Sequence, residues 1–154
     1  MKLPGLVLFV CTGNTCRSPM AEGIYNALAI HNDLDSRAIS AGVSTQEGMP
    51  ASFGAQNAMA ELGIDISLHS SQPLTNELLE RADAVLCMLE AHAEIIKYRC
   101  PQYAHKVMSL FEAGHGKKGD IRDPFGGDEN TYHETALQIN AAIMAYLDKF
   151  EKEN

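Results

Sequence analysis

The chain has 154 residues, 45 % of them hydrophobic, which is enough to bury a sizeable core, and it is read as one domain spanning 1–154. Twelve basic residues against twenty acidic ones give a net charge of −8, which excludes a broad nucleic-acid or anionic-membrane surface and leaves an anionic ligand only a local patch of donors. Cys11, Cys16, Cys87 and Cys100 show neither CxxC spacing nor a neighbouring histidine pair, and no apolar run reaches transmembrane length. The expectation is a cytoplasmic protein with no metal, no cofactor and no disulfide framework.

Leu6–Val10 are five apolar residues, mostly branched or aromatic, the pattern of a strand buried on both faces. Cys11-Thr12-Gly13-Asn14-Thr15-Cys16-Arg17-Ser18 follows, and Pro19 after Ser18 marks a helix start with Ser18 as its cap. A turn this tight aims backbone N–H groups and the positive end of a helix dipole at one point, where an anion sits. Cys11 opens that turn. Donors and a guanidinium around a sulfur favour the thiolate over the neutral thiol, and Arg17 supplies the guanidinium. Its planar fork grips two phosphate oxygens while the backbone grips the third, so that phosphorus faces sulfur. The chemistry indicated is phosphoryl transfer to Cys11, with Thr12 to Ser18 as the phosphate-binding loop and Gly13 and Asn14 suited to positive φ.

Pro19–His31 then reads as a helix with Met20, Ile24, Ala27 and Leu28 inward, stopped by polar residues to Ser36. Ser36–Ala41 gives a short second strand, Gly42–Pro50 a loop, and Ala51–Leu62 a second helix closed by Gly63. Thr75 caps a short helix to Ala82. Ala84–Met88 is apolar throughout and so a central third strand. Ala91–Arg99 is helical, ended by Pro101, and Lys106–Phe111 contains a brief fourth strand. Glu112–Asn130 holds five glycines and reads as a long functional loop, with Asp120, Asp128 and Glu129 solvated and Lys117-Lys118 exposed. Thr131 to Glu134 has a capping-box pattern, and Ala136, Ile139, Ile143, Leu147 and Phe150 continue it as an amphipathic helix with a charged tail.

Strands alternating with helices predict an α/β fold: a four-stranded parallel sheet in the flavodoxin-like order 2-1-3-4, with helices on both faces. The crevice of that order lies outside the carboxyl ends of strands 1 and 3, where Cys11 leaves strand 1. A departing alkoxide, phenoxide or guanidine needs a proton. Asp123-Pro124, in the Gly-rich segment after strand 4, comes to the same edge and is the candidate donor.

The run Cys-x5-Arg-Ser-Pro after an apolar strand resembles the signature loop of the low-molecular-weight protein tyrosine phosphatases, and the resemblance covers nearly the whole chain. It implies that Asp123 is the general acid, that Ser18 hydrogen-bonds the thiolate and that Asn14 braces the loop. Ser44 and His69 match the family's serine and histidine that contact that asparagine, although Ser70-Ser71-Gln72-Pro73 replaces the basic residues that follow the histidine. Cys16 resembles a protective partner that forms a reversible disulfide with Cys11.

Two positions facing the substrate depart from the tyrosine-specific pattern. Thr15 stands where a larger apolar residue is common, and Phe125-Gly126 where two aromatics are common. Both features resemble the family's bacterial protein-arginine phosphatase branch. The implied activity is metal-independent hydrolysis of phosphotyrosine in a protein substrate through a phosphocysteine, releasing inorganic phosphate, with protein-arginine phosphatase as the alternative. An arsenate reductase shares the fold and loop but needs relay cysteines, and Cys87 lies inside an apolar strand while the Cys87 and Cys100 spacing does not fit a relay.

Overall fold

The computed structural model describes residues 2–151. In chain order the elements are β1 (Leu6–Cys11), α1 (Arg17–His31), β2 (Arg37–Gly42), α2 (Phe53–Glu61), α3 (Asn76–Arg81), β3 (Ala84–Cys87), α4 (Glu90–Arg99), β4 (Val107–Ser109), α5 (Leu110–His115) and α6 (Glu129–Glu151), with a 3-10 turn over Pro101–Lys106. The sheet is parallel and ordered β2-β1-β3-β4, as the alternation of strands and helices predicts.

Successive side chains of β1 point to opposite faces, and each face meets its own helices. Val7 and Phe9 pack with Met20 and Ile24 of α1 and Ile139 and Ile143 of α6. Leu8 and Val10 pack with Leu78 and Leu79 of α3 and Ala93 and Ile96 of α4. Each of these large side chains contributes on the order of 1.5–3 kcal/mol by leaving water. β1 is therefore fixed from both faces and both edges, and its last residue, Cys11, is among the best-positioned points in the molecule. A Cβ at Gly114 would collide with the Ala142 carbonyl, so glycine there is what lets α5 lie on α6.

The structure differs from the sequence reading at several ends. α1 begins at Arg17, preceded by Cys16 with no side-chain cap, so Ser18 lies inside the first turn and is not the cap. Ser52 caps α2 by accepting the Ala55 N–H, and Thr75 caps α3 as expected. The segment from Glu112 is not all loop: α5 runs to His115, capped by Ser109 and ended by Gly116 at φ 76°. α6 starts ahead of the Thr131 to Glu134 box because Asp128 Oδ1 accepts both the backbone N–H and the hydroxyl of Thr131, each at 2.9 Å. Asp128 is thus a cap rather than a merely solvated carboxylate. The charged tail from Lys152 onward lies outside the described residues, and no helix among the described residues is long and apolar enough to cross a membrane.

Candidate active site

The loop from Cys11 to Arg17 leaves β1 at the point where the winding of the sheet reverses. β2's continuation holds its first turn: Cys11 O accepts the Val43 N–H at 3.0 Å and Thr12 O the Ser44 N–H at 2.9 Å. Asn14 is the brace. It is 0 % exposed and left-handed, at φ 56°, a conformation asparagine tolerates better than most residues. Its backbone N–H donates to Cys11 Sγ at 3.2 Å, and its Nδ2 donates to Ser18 Oγ at 2.8 Å and Ser40 Oγ at 2.9 Å. Its Oδ1 accepts the Gln72 N–H at 2.9 Å, and its carbonyl meets His69 Nε2 at 2.7 Å.

These bonds fix where the protons go. The Ser40 hydroxyl donates a hydrogen bond to Glu22 Oε1 at 2.8 Å. Ser18 Oγ already accepts the Asn14 amide, so its own proton is free for Cys11 Sγ, 2.8 Å away. The sulfur therefore faces two donors, the arrangement that suits a thiolate.

Besides Ser18 of the loop itself, the serine that meets the Asn14 side chain is Ser40, not Ser44, which supports the loop through its backbone N–H. A lone hydroxyl within the otherwise apolar run Ala38-Ile39-Ser40-Ala41 was the available signal. Replacing Asn14 with alanine leaves the Gln72 N–H without its acceptor, Ser18 and Ser40 without their donor, and puts at positive φ a residue that tolerates it less well than asparagine. We expect a loss of about 3 kcal/mol in urea unfolding, and an unchanged midpoint would contradict this role.

Arg17 is 2 % exposed. Its Nη1 donates to Ile121 O at 3.0 Å, and its Nη2 lies 3.5 Å from Thr12 Oγ1 and 3.6 Å from Asp123 Oδ2. Ile121 is itself tied to the sheet, its N–H donating to Met88 O at 2.8 Å while the Met88 N–H donates to Val10 O at 2.8 Å. The Gly-rich segment thus attaches to the end of β3 and delivers Asp123 to the cradle. The Asp123 side chain is 50 % exposed, and its Oδ1 accepts the Phe125 N–H at 3.0 Å, a turn that stands Phe125 out into solvent at 79 % exposure.

On the opposite wall, the half-buried Thr15 accepts the Ser52 N–H at its carbonyl, 2.8 Å. The buried Cys16 thiol meets Ser52 Oγ at 3.4 Å and the Tyr132 hydroxyl at 3.7 Å, and all four cysteines are free. Burial pushes the Cys87 thiol up to about 12, so it does not supply the thiolate that an arsenate relay needs.

His92, from the first turn of α4, closes the remaining side with Nε2 3.5 Å from Thr12 Oγ1. Burial first, and the Arg17 charge second, lower its pKa against an opposing pull from Asp120. Sequence reasoning missed Ser40, Ile121, Tyr132 and His92 because each reaches the cradle from a distant element, and Glu22 because its role runs through Ser40.

The chain is 39 % identical over 147 residues to the protein-arginine-phosphatase of Bacillus subtilis, with 96 % of this chain and 97 % of that protein covered. A structure of a low molecular weight protein tyrosine phosphatase from T. tengcongensis superimposes with a TM-score of 0.90 at 44 % identity, over 94 % of this chain and 98 % of that one. A structure of a YwlE arginine phosphatase mutant, with serine in place of cysteine and that active site serine phosphorylated, gives 0.91 at 38 %, over 97 % of each chain. The model of the low molecular weight phosphotyrosine protein phosphatases matches residues 6–154, and the chain belongs to that family.

Proposed function

We propose that residues 1–154 form one cysteine-dependent protein phosphatase domain working in the cytoplasm, and that its substrate is phosphoarginine. The observation that carries the chemistry is the convergence of the Cys11 sulfur, its two donors, the Arg17 guanidinium and Asp123 on one mouth. Cys11 Sγ attacks phosphorus in line while the loop N–H groups and Arg17 hold the equatorial oxygens. The bond to the leaving group breaks as Asp123 hands that group a proton. The resulting carboxylate then takes a proton from water, which attacks the phosphocysteine and releases inorganic phosphate. Ser18 stabilises the sulfur as it departs. The proposed route is metal-independent, its charge stabilisation coming from the loop N–H groups and Arg17. Four free thiols fit a reducing compartment.

The substrate reading rests on Thr15 and Phe125-Gly126 and is supported by the likeness to the B. subtilis arginine phosphatase. The Thr15 hydroxyl in the loop offers polarity to a guanidine, whereas a larger apolar side chain there would offer a phenol ring dispersion contacts. The T. tengcongensis likeness favours phosphotyrosine as the second reading. Parallel kinetics on phosphoarginine and phosphotyrosine peptides decide between them. Wild type is expected to prefer phosphoarginine, and Thr15→Ile to shift the kcat/KM ratio toward phosphotyrosine by about 10–100-fold, the scale of a methylene-sized steric change. A wild-type preference for phosphotyrosine reverses the order of the two readings.

A further inference from the structure

His92 makes a contact that the phosphatase chemistry above does not use. It stands in the first turn of α4, where the Asp120 carboxylate accepts the Glu90 N–H at 2.8 Å, and its ring faces Thr12 across the mouth of the cradle. Its Nδ1 is buried and makes no hydrogen bond among the described residues. A neutral imidazole carries one N–H. Placing that proton on Nδ1 strands a buried donor, whereas placing it on Nε2 lets it donate to Thr12 Oγ1 and leaves Nδ1 as a bare acceptor, the cheaper arrangement. Arg17 Nη2 donates to the same Thr12 oxygen. Both contacts are 3.5 Å, long in the way that active-site hydrogen bonds are before substrate closes the site. With both lone pairs of Thr12 Oγ1 engaged, its hydroxyl proton is turned away from His92 and Arg17, toward the open mouth of the cradle.

We propose that His92 is a positioning residue that turns the Thr12 hydroxyl into an additional donor to the bound oxyanion. The inference rests on reading the loop as the oxyanion cradle of a phosphatase. The lowered pKa of His92 fits it, because burial and Arg17 favour the neutral ring with a single N–H to place. It also explains why a residue 80 positions away in sequence is brought to the opening of the loop.

Sulfate, whose charge does not change near neutral pH, is the probe, and its binding is read from the rise in melting temperature with concentration, which needs no turnover. His92→Leu is expected to weaken sulfate about tenfold, the scale of one hydrogen bond to a charged group. His92→Gln, whose amide nitrogen can stand where Nε2 does, is expected to restore binding to within about threefold, while His92→Asn, too short to reach Thr12, loses as much as leucine and carries the test should the leucine variant not fold. Thr12→Val should show the same loss as His92→Leu, and the double variant no more than either single one, because the two residues act through one proton. Unchanged sulfate affinity in the folded His92→Leu or His92→Asn protein would overturn the proposal, as would losses that add in the double variant. A wild-type chain that binds sulfate but hydrolyses no phosphoester or phosphoarginine would instead remove the phosphatase reading, and the sulfate comparison still judges His92.

Discussion

Cys11→Ser is expected to lower turnover by at least about 10⁴-fold while sulfate and vanadate binding stay near the wild-type level. A serine hydroxyl is a far weaker nucleophile than a thiolate, and in the proposed mechanism the sulfur between Ser18 and the Asn14 N–H is the attacking atom. The cradle does not depend on the sulfur: the Asn14 bonds to Ser18, Ser40 and Gln72 and the Arg17 bond to Ile121 all survive the change. Steady-state kinetics with p-nitrophenyl phosphate and a parallel binding titration separate the two effects. Residual activity above about a tenth of wild type would remove Cys11 from the nucleophile's role, and loss of oxyanion binding would show that the cradle collapses without it.

Asp123→Asn gives the second large effect, and its size should depend on the leaving group. Asp123 sits 3.6 Å from Arg17 with half of its side chain exposed, so the ion pair itself contributes little and the substitution should not unfold the protein. An alkoxide or guanidine cannot depart without a proton, whereas an activated phenoxide can. The expected loss is about 10²–10³-fold for the first class and under about tenfold for dinitrophenyl phosphate. The check is a plot of log kcat/KM against leaving-group pKa, which should steepen in the variant. Equal losses at every pKa would count against Asp123 as the acid.

The parts of this site that could be read from sequence are those carried by neighbouring residues. Leu6–Val10 has no polar residue to expose, so it could only be a central strand, and Cys11, Arg17 and Pro19 follow within one turn. The alternation of elements points to the parallel sheet, whereas Asp123 is singled out through the resemblance to the phosphatase family, whose general acid sits in such an Asp-Pro pair. The brace around Asn14 was less legible because it depends on register. Ser40 pairs with Phe9 and Gly42 with Cys11, so Ser40 sits within the sheet beside β1 while Ser44 lies past the sheet's end.

Helix starts failed for a related reason. Asp128 and Thr131 both have cap chemistry, and packing decides between them, since Tyr132 must already be helical to lay its ring against Gly54, where a Cβ would collide with it. Likewise the glycines after Glu112 argue against a helix locally, yet α5 forms because Gly114 permits its contact with α6.

The central claim is that phosphate passes through Cys11, and an acid-quenched single turnover analysed by peptide mass spectrometry tests it most directly. Asp123→Asn protein mixed with an activated phosphate ester is the best preparation, because the ester transfers without a proton while the hydrolysis that follows has lost its base. The account predicts a phosphoryl group on the Cys11 sulfur, in amounts approaching one per chain, which disappears in step with release of inorganic phosphate. A burst of leaving group with no adduct on Cys11, or with the phosphoryl group on another side chain, would contradict it.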